Sequence, residues 1–170
     1  MPFRLELAGP DDVNDLVFLR AEMNRSLEAQ FGQGFWISGL TDIGVLFAMR
    51  HSSVFVARRQ GKLVATLTLA TKKPWAIDRS RFTPVKKPLY LTSMAVSPDL
   101  QRQGIGSRCV GEAVRMAKEW PADAIFLDAW NHAAGAAEFY RKCGFREVGP
   151  AVYRAVPLIY FELLLQPELR

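Results

Sequence analysis

Cysteine and histidine are scarce: Cys109, Cys143, His51 and His132 are all that the 170 residues contain. Two cysteines are too few for a disulfide framework or a zinc cluster, and the histidines show no metal-ligand spacing, so no metal is expected and reduced thiols fit best. No apolar run reaches the roughly 18 residues of a membrane span. Arg4, Glu6, Asp11 and Asp12 interrupt the stretch that a signal peptide would need to be apolar. The expectation is an unexported cytoplasmic protein with no membrane partner. Gly-Lys-Ser and Gly-Lys-Thr are also absent, which excludes a Walker-type phosphate loop.

What is present is ordinary in bulk. Hydrophobic residues make up 49%, charged residues 23% and aromatics 11%, a composition that speaks against disorder, collagen-like repeats and simple coiled coils. A chain of this length buries roughly 70% of its unfolded surface, enough for one core, and residues 1–170 are expected to form a single domain. The net charge is +5. Lys72, Lys73, Arg79, Arg81, Lys86 and Lys87 against Asp78 account for all of that excess, and the rest of the chain is neutral as a sum.

Phe3 to Leu7 alternates like a half-buried strand, and Gly9-Pro10-Asp11-Asp12 is a helix-start signal. Val13, Leu16, Leu19 or Arg20, Met23 and Leu27 follow at helical spacing, as do Trp36, Leu40, Ile43, Phe47 and Arg50 after a glycine-dotted break. Val54 to Arg58 and Lys62 to Thr71, joined at Gln60-Gly61, read as an antiparallel hairpin. The connection from Lys72 to Pro88 holds three prolines and the basic cluster, and at about 17 residues it is long enough to be either functional or mobile. Then come a strand at Leu89 to Val96, a helix from Ile105 to Trp120, a strand at Ala124 to Trp130, a helix at Ala133 to Lys142, and strands at Phe145 to Val148 and Leu158 to Leu165.

The most informative segment is Gln101-Arg102-Gln103-Gly104-Ile105-Gly106, between a strand and an amphipathic helix. Glycines at such a junction let backbone N–H groups approach a ligand, and the helix start adds unsatisfied donors and a positive dipole end, an arrangement suited to phosphate oxygens. Dinucleotide binding is disfavoured, because the third glycine of that fingerprint would fall on Cys109 and too little chain follows for further βα units.

Taken together, Met94-Ala95-Val96-Ser97-Pro98, the Gln-x-x-Gly-x-Gly at 101 to 106, Asn131, and Phe139-Tyr140-Arg141-Lys142-Cys143-Gly144-Phe145 resemble the GNAT superfamily of acetyl-CoA-dependent N-acetyltransferases. The resemblance implies an α/β (α+β) fold: a mixed, mostly antiparallel central sheet flanked by about four helices and splayed between the fourth and fifth strands. It implies acetyl-CoA as the acetyl donor, its pantetheine arm on main-chain groups around Met94, Ala95 and Val96. Backbone N–H groups of Arg102, Gln103, Gly104, Ile105, Gly106 and Ser107 would cradle the pyrophosphate. Asn131 would bond the pantetheine amide; the alternative for it is a cap on the following helix. Tyr140 would protonate the departing thiolate; the alternative for it is packing in the core. A primary amine is the implied acceptor. Its identity and the general base are not legible, with Glu28, Asp42, His51, Asp128 and Glu138 all nameable.

Other readings stand beside this one. An acyl-CoA-binding sensor without turnover would carry the same donor residues. A module that grips nucleic acid or an acidic partner through residues 72–87, with Trp75 and Phe82 as stacking platforms, leaves the ordered motifs at 94 to 145 unexplained and is not favoured. The basic segment could instead guide an anionic acceptor. Trp36, Trp75 and Phe82 are candidates for lining the acceptor pocket, although packing is the default role of each. The last strand is apolar enough to join a partner's sheet in a homodimer, and an internal place in its own sheet explains it equally.

Overall fold

The computed structural model describes residues 3–32 and 40–166, so Trp36 lies outside the described residues. Among the described residues, seven strands and four α-helices follow one another, with short 3-10 turns between some of them. The chain divides into two compact units, Met1–Leu69 with Ser93–Glu112, and Ala70–Thr92 with Ala113–Arg170.

The first unit opens with β1 (Glu6–Leu7) and a 3-10 turn at Pro10–Asp12 leading into α1 (Val13–Phe31). Then come α2 (Asp42–His51), β2 (Ser53–Arg59) and β3 (Lys62–Ala70). Thr41 starts α2 by accepting the Gly44 N–H on its side-chain oxygen at 3.1 Å, as an N-cap residue does. Gln60 (φ 51°) and Gly61 (φ 76°) make the two-residue turn between β2 and β3, both in the left-handed region that a tight hairpin of this twist requires. Val13, Leu16, Leu19, Val45, Val54, Val56, Leu63 and Ala95 form the core of this unit. Asp12 is buried at its margin, where it accepts the Gly9 N–H at 2.9 Å and a guanidinium bond from Arg58. Burial would raise its carboxyl, but these bonds outweigh burial and hold it below the usual range.

β4 (Pro88–Val96) contributes to both units, and so does α3 (Ile105–Glu119). The second unit adds β5 (Ala124–Trp130), α4 (Ala137–Lys142), β6 (Arg146–Tyr153) and β7 (Val156–Leu164). Ile77, Phe82, Tyr90, Ala124, Phe126, Leu158 and Tyr160 are its core. The strand order is β1-β2-β3-β4-β5-β7-β6; β4 pairs with β5 in parallel, and the β1–β2, β2–β3, β5–β7 and β6–β7 pairs are antiparallel. This is the mixed, mostly antiparallel sheet that the sequence implied. β7 lies between β5 and β6, so its apolar run is accounted for inside its own sheet.

The connection from residue 72 to 87 is folded onto the second unit. Phe82, 4% exposed, stacks on Phe126 with ring centroids 4.4 Å apart. That removes it from both roles considered for it above, nucleic-acid platform and pocket lining. Trp75 is 83% exposed. The Tyr160 hydroxyl donates to the Ala76 carbonyl at 2.5 Å and accepts the Asp78 N–H at 3.1 Å. Lys73 donates to the carbonyls of Pro74 and Ile77, Arg79 to that of Val85, and Arg81 to that of Pro150. Half of the basic cluster thus holds the connection in shape.

Candidate functional site

The β4–β5 ladder runs for three residue pairs, Pro88 with Ala124, Leu89 with Ile125 and Tyr90 with Phe126. β5 stays paired with β7 as far as Trp130, whereas Leu91 and Thr92 of β4 have no partner in that register. The strands therefore part after Tyr90, at the pair of strands where the sequence resemblance puts the opening.

Further along β4, within the first unit, Ser93 has φ 51°. A non-glycine residue in this region costs about 1–3 kcal/mol and persists only where its surroundings fix it. Arg20 of α1 donates to the Ser93 carbonyl at 3.2 Å. The kink sits immediately before Met94, Ala95 and Val96. Ala95 is buried in the core of the first unit, while Met94 and Val96 are half-buried. The main chain then leaves β4 through Ser97, whose N–H donates to the Val64 carbonyl at 2.8 Å, and a 3-10 turn at Pro98–Leu100.

The loop before α3 is shaped by its own side chains. The Gln101 amide donates to the Val96 carbonyl at 3.3 Å and the Gln103 amide to the Asp99 carbonyl at 3.3 Å. Arg102 (φ 63°) and Gly104 (φ 83°) turn the chain into the helix. Inside α3 the Arg108 N–H reaches the Gly104 carbonyl at 3.1 Å, so the N–H groups of Gly104, Ile105, Gly106 and Ser107 precede the helical ladder. Arg102, Gln103, Gly104 and Ser107 are exposed, Gly106 half-buried, and Ile105 buried as the anchor of the turn. A helix start with exposed donors and a positive dipole end suits an anion. Arg108 and Gln103 line a cleft of about 1000 Å³ to which Arg4, Arg58 and Arg59 also contribute.

Asn131 and Tyr140 belong to the second unit. Asn131 is exposed, and its N–H donates to the Pro157 carbonyl at 2.9 Å. α4 begins at Ala137 with Ala136 as its N-cap, so Asn131 does not cap it, and the helix expected from Ala133 starts one turn later. Residues 131 to 136 instead fold on themselves: His132 stacks on Trp130 (centroids 4.1 Å, 7° apart), and its Nδ1 accepts the Ala134 N–H at 3.0 Å. Gly135 closes the loop, since a Cβ there would lie 1.9 Å from the Trp130 carbonyl oxygen.

Tyr140 is buried on α4, with its ring packed against Phe139, Phe145 and Phe161 at 5.2, 5.7 and 6.2 Å. Burial pushes its phenol well above the ordinary tyrosine range, and the charges of Cys143 and Asp128 add to the effect. Burial likewise raises the carboxyl of Asp128, on β5, and lifts the Cys109 thiol to about 12. Cys109 is therefore an inert core thiol. Of the acids and histidines that the sequence left open as bases, Asp128 contributes to raising the Tyr140 phenol. Sequence reading missed Ser93, Arg20 and Gly135. Only Arg20 left a usable signal, a charge in register with an apolar stripe.

Among the described residues no group of three or more His, Cys, Asp or Glu could hold a metal ion, and no helix is long and apolar enough to cross a membrane.

Comparison with known proteins bears on the whole arrangement. An N-acetyltransferase crystal structure from Staphylococcus aureus Mu50 superposes with a TM-score of 0.68 at 16% identity, covering 98% of this chain and 100% of that one. The PaiA N-acetyltransferase of Thermoplasma acidophilum, solved in complex with coenzyme A, gives 0.71 at 13% identity over 94% and 98%. In sequence, the uncharacterized N-acetyltransferase YvbK of Bacillus subtilis is 36% identical over 56 residues, 33% of this chain and 36% of that protein. The match thus spans about a third of the relative's length. The pattern of the acetyltransferase (GNAT) family matches residues 19–145. With the parted strands, the kink before Met94 and the amide-rich start of α3 all within that span, the chain belongs to the acetyltransferase (GNAT) family.

Proposed function

We propose that the protein is an N-acetyltransferase that moves the acetyl group of acetyl-CoA to a primary amine, with residues 1–170 acting as one catalytic domain. The observation that carries the reading is the run from Ser93 to Ser107: a strand kinked at Ser93, followed by a turn that presents consecutive N–H groups. The donor set fits the ligand. Main-chain groups of Met94, Ala95 and Val96 would hold the pantetheine arm as an added strand would. N–H groups of Arg102, Gln103, Gly104, Ile105, Gly106 and Ser107 would hold the diphosphate. Asn131, exposed and excused from capping α4, would bond the pantetheine amide.

In this reading the neutral amine attacks the thioester carbonyl directly. A carbon–nitrogen bond forms, the carbonyl oxygen becomes negative, the attacking nitrogen loses a proton through water to solvent, and the carbon–sulfur bond breaks as the tetrahedral centre collapses, with Tyr140 reprotonated from solvent after it gives its proton to sulfur. An N–H near Met94 to Val96 would steady that oxygen, a contribution of up to about 4 kcal/mol. Tyr140 would give its proton to the departing sulfur. A phenol is protonated at neutral pH and so has a proton to give, while burial, by raising it, makes that proton harder to release.

The test is release of free thiol from acetyl-CoA across a panel of amines, amino acids, polyamines, aminoglycosides and peptide N-termini. Saturable release that requires both acetyl-CoA and an amine is expected. Binding of acetyl-CoA with no amine-dependent release would make the protein a sensor instead.

A further inference from the structure

In the first unit, Arg20 borders a small cavity of about 40 Å³. Its lining is mostly apolar, through residues such as Leu16, Val45 and Val54, and includes the hydroxyl residues Thr66, Thr68 and Ser93. Arg20 is half-buried, and apart from its bond to the Ser93 carbonyl the guanidinium makes no hydrogen bond and meets no carboxylate within 4 Å among the described residues. Other arginines do have acids: Arg58 has Asp12 and Glu6, Arg146 has Glu162, and Arg141 has Glu138 and Glu147. Burial draws the Arg20 guanidinium below its ordinary range, yet arginine remains charged at any physiological pH. A desolvated cation with no counter-charge is unfavourable by itself and calls for an anion.

The cavity limits what that anion can be. A water needs about 10–15 Å³ of such space, so about 40 Å³ admits a group of a few heavy atoms and excludes a whole substrate. One guanidinium with its planar fork matches a carboxylate. A phosphate would bring more charge and a third oxygen, and Thr66 has already committed its hydroxyl proton to the Phe55 carbonyl at 2.8 Å.

We infer that Arg20 recognises a carboxylate on the acceptor, which makes the substrate class small amines that carry a carboxylate in the same molecule. The inference rests on the acetyl-transfer reading above. Arg20 is then a specificity-determining residue as well as the brace of the Ser93 kink.

The experiment compares the full chain with Arg20→Gln and Arg20→Lys on matched pairs: glycine, β-alanine, glutamate and methionine against their carboxamides, with O-phosphoethanolamine as a further acceptor. The readout is the ratio of kcat/KM for acid over amide, which a purely bracing role would not move. For the full chain the best acid is expected to exceed its amide by about 10-fold to 100-fold, the range of a hydrogen bond to a charged group. Arg20→Gln should bring the ratio to about one. Arg20→Lys, which keeps the charge and a donor for Ser93, should retain part of it. A full-chain ratio near one, a ratio that survives Arg20→Gln, or a preference for O-phosphoethanolamine would overturn the inference. If no amine releases thiol, the acetyl-transfer reading fails separately, and calorimetry with the same acids and amides decides the subsite. Acid binding that Arg20→Gln abolishes supports it, and the absence of acid-selective binding overturns it.

Discussion

At the scale of single residues, what separates a chemical role from a packing role is what the surroundings do to one side chain. Tyr140 sits among three aromatic rings with its phenol raised first by burial and further by Cys143 and Asp128. Tyr140→Phe keeps those ring contacts and deletes only the hydroxyl. It should leave acetyl-CoA affinity nearly intact and lower kcat by about 10²-fold to 10⁴-fold; equal turnover would remove the acid role. Because the shift is upward, Tyr140 imposes no falling limb on the kcat–pH profile below about pH 10. A limb centred near neutrality would belong to another group. Gly135→Ala tests the loop that carries Asn131. The added methyl meets the Trp130 carbonyl, so the loop must shift, with an expected loss of about 1–3 kcal/mol in urea unfolding and a weaker hold on coenzyme A. An unchanged Kd would take Asn131 out of the donor site.

At the scale of elements, the long basic connection is the clearest case of structure arguing against composition. Its far end is held by Glu162, 1% exposed on β7, which accepts the Thr83 N–H at 2.9 Å, the Thr83 hydroxyl at 2.6 Å and a guanidinium bond from Arg146. Burial would raise this carboxyl, but the bonds from Thr83 and Arg146 outweigh it and hold it below its usual range. The sign follows: a folded value below the unfolded one stabilises the protein above about pH 4, and that contribution is lost as pH falls through the folded value. Thr83→Val should therefore cost about 1–3 kcal/mol at pH 7, with the difference from the unaltered chain narrowing on acidification. A difference that is constant with pH would mean that the hydroxyl does not act through Glu162.

How far the elements were legible follows from how local their causes are. The hairpin at Gln60-Gly61 and the strand Ala124–Trp130 were readable because turn chemistry and β-branched runs act within a few residues. β6 was expected to end at Val148, yet it runs to Tyr153, because it is an edge strand that absorbs Gly149 (φ 149°) in a register shift and tolerates Pro150. The alanines after His132 suggested an early start for α4, but Gly135 and the His132 side chain hold a tight loop there instead. In the candidate site, the glycine turn before α3 was legible from the residues themselves, whereas Tyr140 was singled out only by the family resemblance. The Ser93 kink was not legible: it depends on Arg20, 73 residues away in sequence, and serine carries no preference that announces a positive φ.

At the scale of the whole molecule, the net charge of +5 misleads if taken as a footprint for polyanions. Lys73, Arg79 and Arg81 are engaged with carbonyls of their own unit, and Phe82 is core. The function proposed above instead rests on the geometry from Ser93 to Ser107 and on acetyl-CoA as the donor held there. Isothermal titration of coenzyme A into the full chain and into Gly104→Ala tests that claim most directly. Gly104 has no protein atom within 4 Å of an added Cβ but has φ 83°, so a methyl there strains the turn. The account predicts saturable one-to-one binding to the full chain and at least about tenfold weaker binding to Gly104→Ala, the equivalent of about 1.4 kcal/mol. Absence of any heat of association at millimolar coenzyme A, or equal affinity in the two proteins, would contradict it.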